Sequence, residues 1–209
     1  MNLTKTVALA SLLTSATLAS TGVLAHEAGS WLVRGGLGTV IPQESSDDVA
    51  GSGELEIDDN TQIAATLSYM FTDNIGFEVL AATPFTHEVK TNGLGKIAEV
   101  SHLPPSFMAQ YYFGQADSEI RPYLGAGLNY TVFFDEESYG AIKGSDVELD
   151  DSFGLAAQAG IDVSINDKWF ANASIWYIDI DTTVKVKGVG NFDTEIDPIV
   201  AMISAGYTF

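Results

Sequence analysis

Apolar side chains recur at every second position in eight segments of this chain. Successive side chains of a β-strand point to opposite faces, so a period of two predicts strands with one apolar face. The pattern is clearest in the last segment, whose alternate residues are Ile199, Ala201, Ile203, Ala205, Tyr207 and Phe209. The eight predicted strands are 30–41, 61–71, 75–82, 106–113, 120–132, 153–165, 169–181 and 199–209.

The connections between these strands alternate in length. Three are short turns and four are long and mostly acidic; in chain order they are 42–60, 72–74, 83–105, 114–119, 133–152, 166–168 and 182–195. Short turns at one end and long loops at the other are typical of outer-membrane barrels. A soluble sandwich is the alternative, but it would set a charged face against the apolar one. Here the second face is rich in Gly, Ala, Ser, Thr and Gln, which favours an all-β fold, an eight-stranded antiparallel up-and-down transmembrane β-barrel.

The N-terminal segment differs from the rest of the chain. Lys5 precedes an apolar stretch that runs from Val7 to Ala25. A basic start, an apolar middle and small residues before the cleavage point are typical of a secretory signal peptide. A transmembrane anchor is the alternative, although interspersed Thr, Ser and Gly make the stretch weakly apolar. We therefore expect residues 1–25 to be a cleaved signal peptide and 26–209 to be a barrel in a Gram-negative type outer membrane.

The charge of the chain excludes one class of partner. The net charge is −19 and becomes −20 when the segment containing Lys5 is removed, so nucleic-acid phosphates would be repelled. The acidic residues gather at 44–59, 135–151 and 193–197, between apolar segments, which predicts solvated loops. There is no cysteine, which excludes disulfides, thiolate metal sites and a Cys nucleophile.

Short distinctive runs of residues follow one another along the mature chain. The runs are HEAG at 26–29, TDNIG at 72–76, AATPF at 81–85, HLPP at 102–105, AQYYFG at 109–114, RPY at 121–123, GAG at 125–127, NYT at 129–131, FF at 133–134, WYIDIDTT at 176–183 and SAGYTF at 204–209. In this order they resemble the OmpW family of outer-membrane proteins. The resemblance implies an eight-stranded barrel with a narrow hydrophobic lumen through which small apolar molecules enter the membrane. The acidic segments 44–59 and 135–150 lie outside these runs, so the resemblance assigns them no role.

The partners expected of such a barrel are mostly components of the membrane. We expect contact with membrane lipid and lipopolysaccharide, and with small hydrophobic solutes in the lumen. The C-terminal strand ending in Phe209 is expected to engage the barrel-assembly machinery. No cofactor is implied.

The same alternation assigns the residues that face the lumen. An eight-stranded barrel is just wide enough for side chains or one small ligand. The inward apolar residues expected to line the channel are Leu32, Leu80, Met108, Tyr112 and Trp176. We expect Leu80 and Trp176 to form a constriction in a passage, with packing of a closed core as the alternative.

Four charged residues also face inward: Arg34, Glu78, Arg121 and Asp162. Charges in a narrow, poorly hydrated bore must be paired. We therefore predict an ion-pair plug in the periplasmic half, in preference to a catalytic group.

Proline residues predict a weak place in the barrel wall. Pro104 and Pro105 precede the fourth strand and face the end of the third, near Pro84. Because proline has no N–H to donate to a ladder, a gap here would give a lateral exit into lipid. An ordinary loop start at Pro104 and Pro105 is the alternative.

The remaining candidate chemistry is sparse. His87 and His102 flank one long loop without the spacing of a metal site, so we predict solvated loop residues and no metal site. No Gly-x-Ser-x-Gly run accompanies the histidines, which argues against catalysis. The leading hypothesis is passive uptake of small apolar molecules with lateral release. The alternative is a plugged structural or interaction barrel whose acidic extracellular loops act as a receptor or adhesion surface.

Overall fold

The computed structural model describes residues 26–46 and 54–209 of the chain. The predicted signal peptide and part of the acidic segment 44–59 therefore lie outside the described residues. Within these ranges the chain forms one short 3₁₀-helix, Gly140–Ile142, and fifteen strands, β1 to β15. In chain order the strands are Trp31–Ile41, Ser45–Ser46, Leu55–Ile57, Asn60–Met70, Ile75–Ala82, Phe85–Thr91, Gly95–Leu103, Ser106–Tyr112, Ile120–Ser138, Val147–Leu149, Ser152–Ser164, Trp169–Ile178, Asp181–Val186, Gly190–Glu195 and Ile199–Thr208. No helix in the described part of the chain is long and apolar enough to cross a membrane.

Eight of these strands close into an antiparallel barrel, in the order β1, β4, β5, β8, β9, β11, β12 and β15. Each wall strand pairs with the next one along the chain, and β15 returns to β1 with Thr208 opposite Leu32. Closure leaves the wall without a free edge. The predicted all-β class, the eight wall strands and the up-and-down order are confirmed.

The outer face of the wall carries apolar and aromatic side chains. Five of its aromatic residues are Phe71, Tyr111, Trp169, Tyr177 and Phe209, and all five are exposed. Thr66 and Gln158, on the opposite parity, are buried inside the barrel. At the short-turn end the Tyr207 ring lies 4.9 Å from Trp169 and 4.7 Å from Phe209, which is the kind of aromatic girdle that marks a membrane interface.

The long connections are not the solvated loops that their acidic residues predicted. β6 and β7 form a hairpin that pairs with β3 on one side and with the outer half of β9 on the other. β10, β13, β14 and β2 form a second, four-stranded sheet. The prediction was wrong because apolar residues alternate with the acidic ones and become buried where the two sheets meet. This outer core consists of Leu55, Ile97, Val147, Val186 and Phe192.

The predicted seventh strand, 169–181, is also divided. β12 ends at Ile178, and the following backbone leaves the wall. The Ile180 amide donates to the Asp197 carboxylate at 3.1 Å, and the chain continues as β13 from Asp181. The predicted segment 169–181 therefore contributes β12 to the wall and the start of β13 to the four-stranded outer sheet.

The barrel interior is layered along its axis. A cluster at the short-turn end contains Leu32, Met70, Tyr112, Tyr123 and Phe170. A larger cluster nearer the loop end includes Leu80, Met108, Trp176, Ile178, Val200 and Met202. The outer core lies beyond it, so apolar contacts continue from the wall into the two outer sheets.

Candidate functional site: the barrel interior

Arg34 is the centre of a buried polar layer in the short-turn half of the barrel. β1 directs its side chain inward, where it is 1% exposed. The guanidinium donates to Glu78 Oε2 at 3.0 Å and to Asp162 Oδ2 at 2.6 Å, which makes two buried ion pairs. It also donates to Ser68 Oγ at 2.9 Å and to the Tyr112 hydroxyl oxygen at 2.8 Å. The structure thus brings Arg34, Glu78 and Asp162 together.

Neighbouring side chains complete the hydrogen bonding of both carboxylates. Gln158 Nε2 donates to Glu78 Oε1 at 2.8 Å, and Asn172 Nδ2 donates to Asp162 Oδ1 at 2.7 Å. His26 Nε2 lies 2.7 Å from Asp162 Oδ2. A buried ion pair is tolerated when further hydrogen bonds satisfy the remaining lone pairs, and a satisfied network of this kind is rigid.

Arg121 does not join these ion pairs, contrary to the prediction. Its guanidinium donates to two backbone oxygens, of His26 at 3.3 Å and of Asp73 at 2.7 Å. Arg121 follows the first residue of β9, so it sits closer to the short-turn mouth than Arg34 does. At that level the acceptors within reach are backbone carbonyls of the N-terminal segment and of the turn after β4. Arg121 therefore anchors the chain where it enters the barrel.

Leu80 and Trp176 line one small apolar cavity on the loop side of the polar layer. This lower cavity has a volume of about 10 Å³. Leu80 follows Glu78 by one inward position, and Trp176 lies two inward positions beyond Asn172. Met108, another predicted lining residue, is buried in the same cluster. The other walls of the lower cavity are Gly38, Val40, Ala64, Ala82, Phe85, Pro104, Ile178, Val200 and Met202.

Leu32 and Tyr112 do not reach the cavity, although the alternation predicted them as lining residues. Both are fully buried in the cluster at the short-turn end, with Tyr123 and Phe170. The Tyr112 hydroxyl donates to Gln110 Oε1 at 2.9 Å and accepts from Arg34. Both side chains point into the barrel, as the alternation predicted. They lie too far along the axis toward the short-turn end, in the polar half of the bore, to line the cavity.

Two further apolar cavities continue from the lower one toward the outer sheets. The middle cavity, of about 40 Å³, shares Val40 with the lower cavity and is otherwise lined by Pro42, Ile57, His87, Val89, Val100, His102, Phe133, Leu149 and Ile196. The upper cavity, also about 40 Å³, shares Ile57, Val89 and Ile196 with the middle one. It ends in the outer core at Leu55, Ile97, Val147 and Val186. We call the three together the apolar column.

His87 and His102 form a buried pair inside this column, which corrects the prediction of solvated residues. They are 6% and 5% exposed, and their Nε2 atoms lie 3.1 Å apart. His87 Nδ1 lies 2.5 Å from the Asp58 carbonyl oxygen and donates to it. Burial, reinforced by repulsion from His87, lowers the pKa of His102 to about 3. Burial also lowers the pKa of His87, against the opposing effect of its hydrogen bond to Asp58.

The sequence carried a signal for this pair. Phe85, His87 and Val89 alternate with Thr86, Glu88 and Lys90, so His87 shares the face of the apolar residues. Two of the outward residues, Glu88 and Lys90, are charged, which made the segment resemble a loop. Both histidines therefore belong to the candidate site, together with the predicted constriction.

The three prolines lie where the wall ladder is interrupted. Cross-strand pairing of β5 with β8 ends at Leu80 opposite Ser106, and pairing of β6 with β7 begins at Phe85 opposite His102. In the described structure no cross-strand pair joins 81–84 to 103–105. Pro104 is buried and lines the lower cavity, whereas Pro84 is exposed. The Pro105 carbonyl accepts from the Tyr130 amide at 3.1 Å, which fastens β8 to β9 on its other side.

The outer sheets carry most of the acidic surface. An open depression of about 440 Å³ is lined by the carboxylates of Asp150, Asp151, Asp181, Asp193 and Glu195. Side-chain oxygens of Asp179, Asp181 and Asp197 come within 4.8 Å of one another. Asp197 already accepts from the Tyr177 hydroxyl at 2.6 Å and from the Ile180 amide. Partial desolvation and the carboxylates of Asp179 and Asp197 raise the pKa of Asp181 above its ordinary value.

Comparison with known proteins gives matches along almost the whole chain. The model of the OmpW family matches residues 27–209. Outer membrane protein W of Vibrio cholerae is 53% identical over 206 residues, which cover 93% of this chain and 95% of that protein. The crystal structure of the outer membrane protein OprG from Pseudomonas aeruginosa is similar with a TM-score of 0.82 at 40% identity, covering 90% of this chain and 99% of that chain. A more distant relative, the dibenzothiophene metabolism operon protein PahQ of Pseudomonas aeruginosa, is 25% identical over 166 residues, with 75% of each chain covered.

Proposed function

The chain belongs to the OmpW family of outer-membrane proteins, and on this premise we propose that it is a passive channel for small apolar molecules. The observation that carries the proposal is the apolar column, which runs from the outer core to Leu80 and Trp176. Its walls favour apolar solutes because burying apolar surface is favourable and burying unpaired polar groups is not. No energy source or cofactor is required for such a path.

The polar layer around Arg34 supports an exit that is not axial. Beyond the lower cavity a solute would meet Arg34, Glu78 and Asp162, which are paired and buried. Separating these groups would leave charges buried without partners, at a cost of several kcal/mol. An apolar solute therefore gains nothing by continuing toward the periplasm.

The interrupted ladder at the prolines supports release through the wall. The lower cavity is lined by Pro104 and lies next to the unpaired stretch between 81–84 and 103–105. A solute moving sideways here would break no cross-strand pair and would enter the hydrocarbon phase directly. Lateral release at Pro84, Pro104 and Pro105 is thus part of the proposal.

The constriction must move for a solute to pass. A cavity of about 10 Å³ is at the lower limit for a single water molecule. Leu80 and Trp176 therefore act as a gate whose side chains change rotamer when a solute arrives. The name of the relative PahQ supports the solute class, because it ties that protein to the metabolism of an apolar aromatic compound.

The remaining proposed partners follow from the location of the barrel in the outer membrane. The exposed aromatic face contacts lipid, and the outer sheets reach the lipopolysaccharide layer. The closing strand β15 ends beside Phe209, which is 72% exposed. A terminal aromatic on the lipid face is the feature we propose the barrel-assembly machinery recognises.

The constriction can be tested by truncating Trp176. We expect Trp176→Ala to raise the flux of a bulky apolar solute into proteoliposomes without preventing barrel formation, because the gate loses its largest side chain. Ile175→Ala is the matched control, since Ile175 is adjacent but faces lipid. Equal flux in the wild type and in both variants would show that Trp176 is only packing.

The acidic depression favours a second candidate function, that of a receptor or adhesion surface. Its five carboxylates form a surface that suits cations or cationic groups of a partner. In this alternative the column is a closed core and the outer sheets act as a receptor or adhesion surface. Absence of any protein-dependent flux of apolar solutes, in a correctly folded barrel, would favour this alternative.

A further inference from the structure

The apolar column is not entirely apolar. Among the described residues, two buried polar side-chain atoms in its walls have no hydrogen-bond partner, His102 Nδ1 and Trp176 Nε1. His102 lines the middle cavity and Trp176 lines the lower one. The other polar groups of the column are engaged; for example, the Thr182 hydroxyl donates to the Asp150 carbonyl at 2.6 Å. Because buried polar atoms are nearly always paired, these two require an explanation.

The hydrogen bonds of the histidine pair determine what His102 offers. The Asp58 carbonyl can only accept, so His87 Nδ1 carries the proton. A neutral His87 then has an accepting Nε2, and His102 Nε2 must be the donor across the 3.1 Å contact. His102 Nδ1 is consequently a lone-pair acceptor. Burial keeps both rings neutral at ordinary pH.

Trp176 offers the opposite property. Indole Nε1–H can only donate, and a buried tryptophan usually finds an acceptor for it. A water is a poor partner here, because the lower cavity is about 10 Å³ and its other lining side chains are apolar. A water needs two to four polar partners to be held in a buried site. The donor therefore fits a transient guest that brings its own oxygen.

We propose that the column selects apolar molecules that carry one hydroxyl group, which donates to His102 Nδ1 in the middle cavity and then accepts from Trp176 Nε1–H in the lower cavity. This inference rests on the proposed channel and names its solute class. A hydrocarbon satisfies neither atom, and a ketone satisfies only Trp176. A charged molecule is excluded because the remaining walls cannot solvate it.

Three solutes with one carbon skeleton test this proposal: ethylbenzene, acetophenone and 1-phenylethanol. Binding to the barrel in nanodiscs is measured for each, with correction for partition into lipid. We expect 1-phenylethanol to be held by a hydrogen bond in both cavities, acetophenone only in the lower cavity and ethylbenzene in neither, each bond raising the affinity at its own site roughly fivefold. Trp176→Phe should remove the advantage of acetophenone over ethylbenzene and should leave 1-phenylethanol with the advantage that its hydrogen bond to His102 provides. His102→Phe should remove only that of the alcohol over the ketone.

Ile178→Val is the matched control, because it changes the volume of the lower cavity without removing a polar atom. It should affect all three solutes alike. The indole N–H resonances give an independent readout that does not depend on variant folding. Trp176 should shift with the alcohol and the ketone, while the lipid-facing Trp31 and Trp169 should not.

The outcomes separate this inference from the proposed channel. Saturable binding of ethylbenzene with equal affinity for all three solutes would overturn the hydroxyl preference and leave the channel intact. Equal losses for all three solutes in Trp176→Phe would also overturn it, because shape would then explain the effect. Failure of all three to bind the folded wild type would overturn both proposals.

Discussion

Arg34 neutralises two carboxylates that are themselves almost fully buried. Replacing it by Met keeps the apolar stem but leaves Glu78 and Asp162 without their cation. Removing one partner of a buried pair costs about 3–5 kcal/mol. We therefore expect Arg34→Met to unfold at a clearly lower urea concentration in lipid vesicles, measured by tryptophan fluorescence. The triple variant Arg34→Met, Glu78→Gln, Asp162→Asn removes the three charges together and should recover part of the loss; no recovery would mean that Arg34 acts through packing.

His87 and His102 predict a dependence of stability on mild acid. Their pKa values are lowered in the folded protein, that of His102 to about 3 from an ordinary 6.5. The unfolded chain therefore binds more protons below pH 6.5, and stability is lost as the pH falls from 6.5 toward 3. Between pH 7 and pH 5 the loss is about 2 kcal/mol for His102, and His87 adds a loss in the same direction. We expect the melting temperature to fall less between pH 7 and pH 5 in His102→Phe than in the wild type. An equal fall in both proteins would contradict the burial of this ring.

Arg121 and Tyr112 show what the sequence could specify for single residues. Alternation fixed the inward direction of each side chain, because a strand leaves only two faces. The alternation did not determine how far along the barrel axis each side chain lies, or which group it bonds to. Arg121 reaches backbone carbonyls at the mouth, and Tyr112 joins Arg34 instead of the column. Those choices depend on barrel stagger, which one strand considered alone does not reveal.

Between β5 and β8 the wall depends on a short interrupted ladder. Replacing Pro104 and Pro105 by Thr returns two N–H donors and strand-compatible side chains at this point. We expect the double variant to slow transfer of apolar solutes into lipid, since a repaired ladder would close the sideways path. Solute binding in the middle cavity should persist, because Pro104 lines only the lower cavity and His102 is unchanged. The measurement is solute flux into proteoliposomes alongside binding.

Pro122→Thr is the matched control for that experiment. Pro122 lies in β9, on the lipid face and away from the interrupted ladder. Its replacement also adds one N–H donor but should leave flux unchanged. Undiminished flux in a correctly folded Pro104→Thr, Pro105→Thr variant would place the exit elsewhere.

The sequence predicts the strands of the barrel wall but not the short strands of the outer sheets. The wall strands have one long, weakly polar face and one apolar face, so period two is unmistakable in 61–71 or 153–165. The outer strands are short and several of their exposed positions are acidic, such as Asp181 in β13 and Asp193 and Glu195 in β14. Their buried residues, such as Val186 and Phe192, have partners only when distant loops meet. Local pattern alone could not predict that tertiary contact.

At the scale of the whole molecule, the upper cavity of the apolar column lies in the outer core between the two outer sheets. β2 has two residues and β10 has three, so the four-stranded sheet holds few ladder bonds per strand. We expect its amides to exchange with solvent through local opening, at rates at least tenfold above those of β12 and β15. Native-state hydrogen exchange in nanodiscs measures both sets in one sample. Such opening would give solutes access to the column while the wall stays closed.

Val186→Ala sharpens this last prediction. Val186 is buried in the outer core and touches the upper cavity, but it makes no part of the wall. Its truncation should speed exchange in β10, β13 and β14, because the two outer sheets lose a shared contact, and should leave β12 and β15 unchanged. Solute binding should then become faster at similar affinity, since access is easier and the His102 and Trp176 sites are intact. Outer-sheet amides protected as strongly as the wall, or binding rates unaffected by Val186→Ala, would show that solutes reach the column by another route.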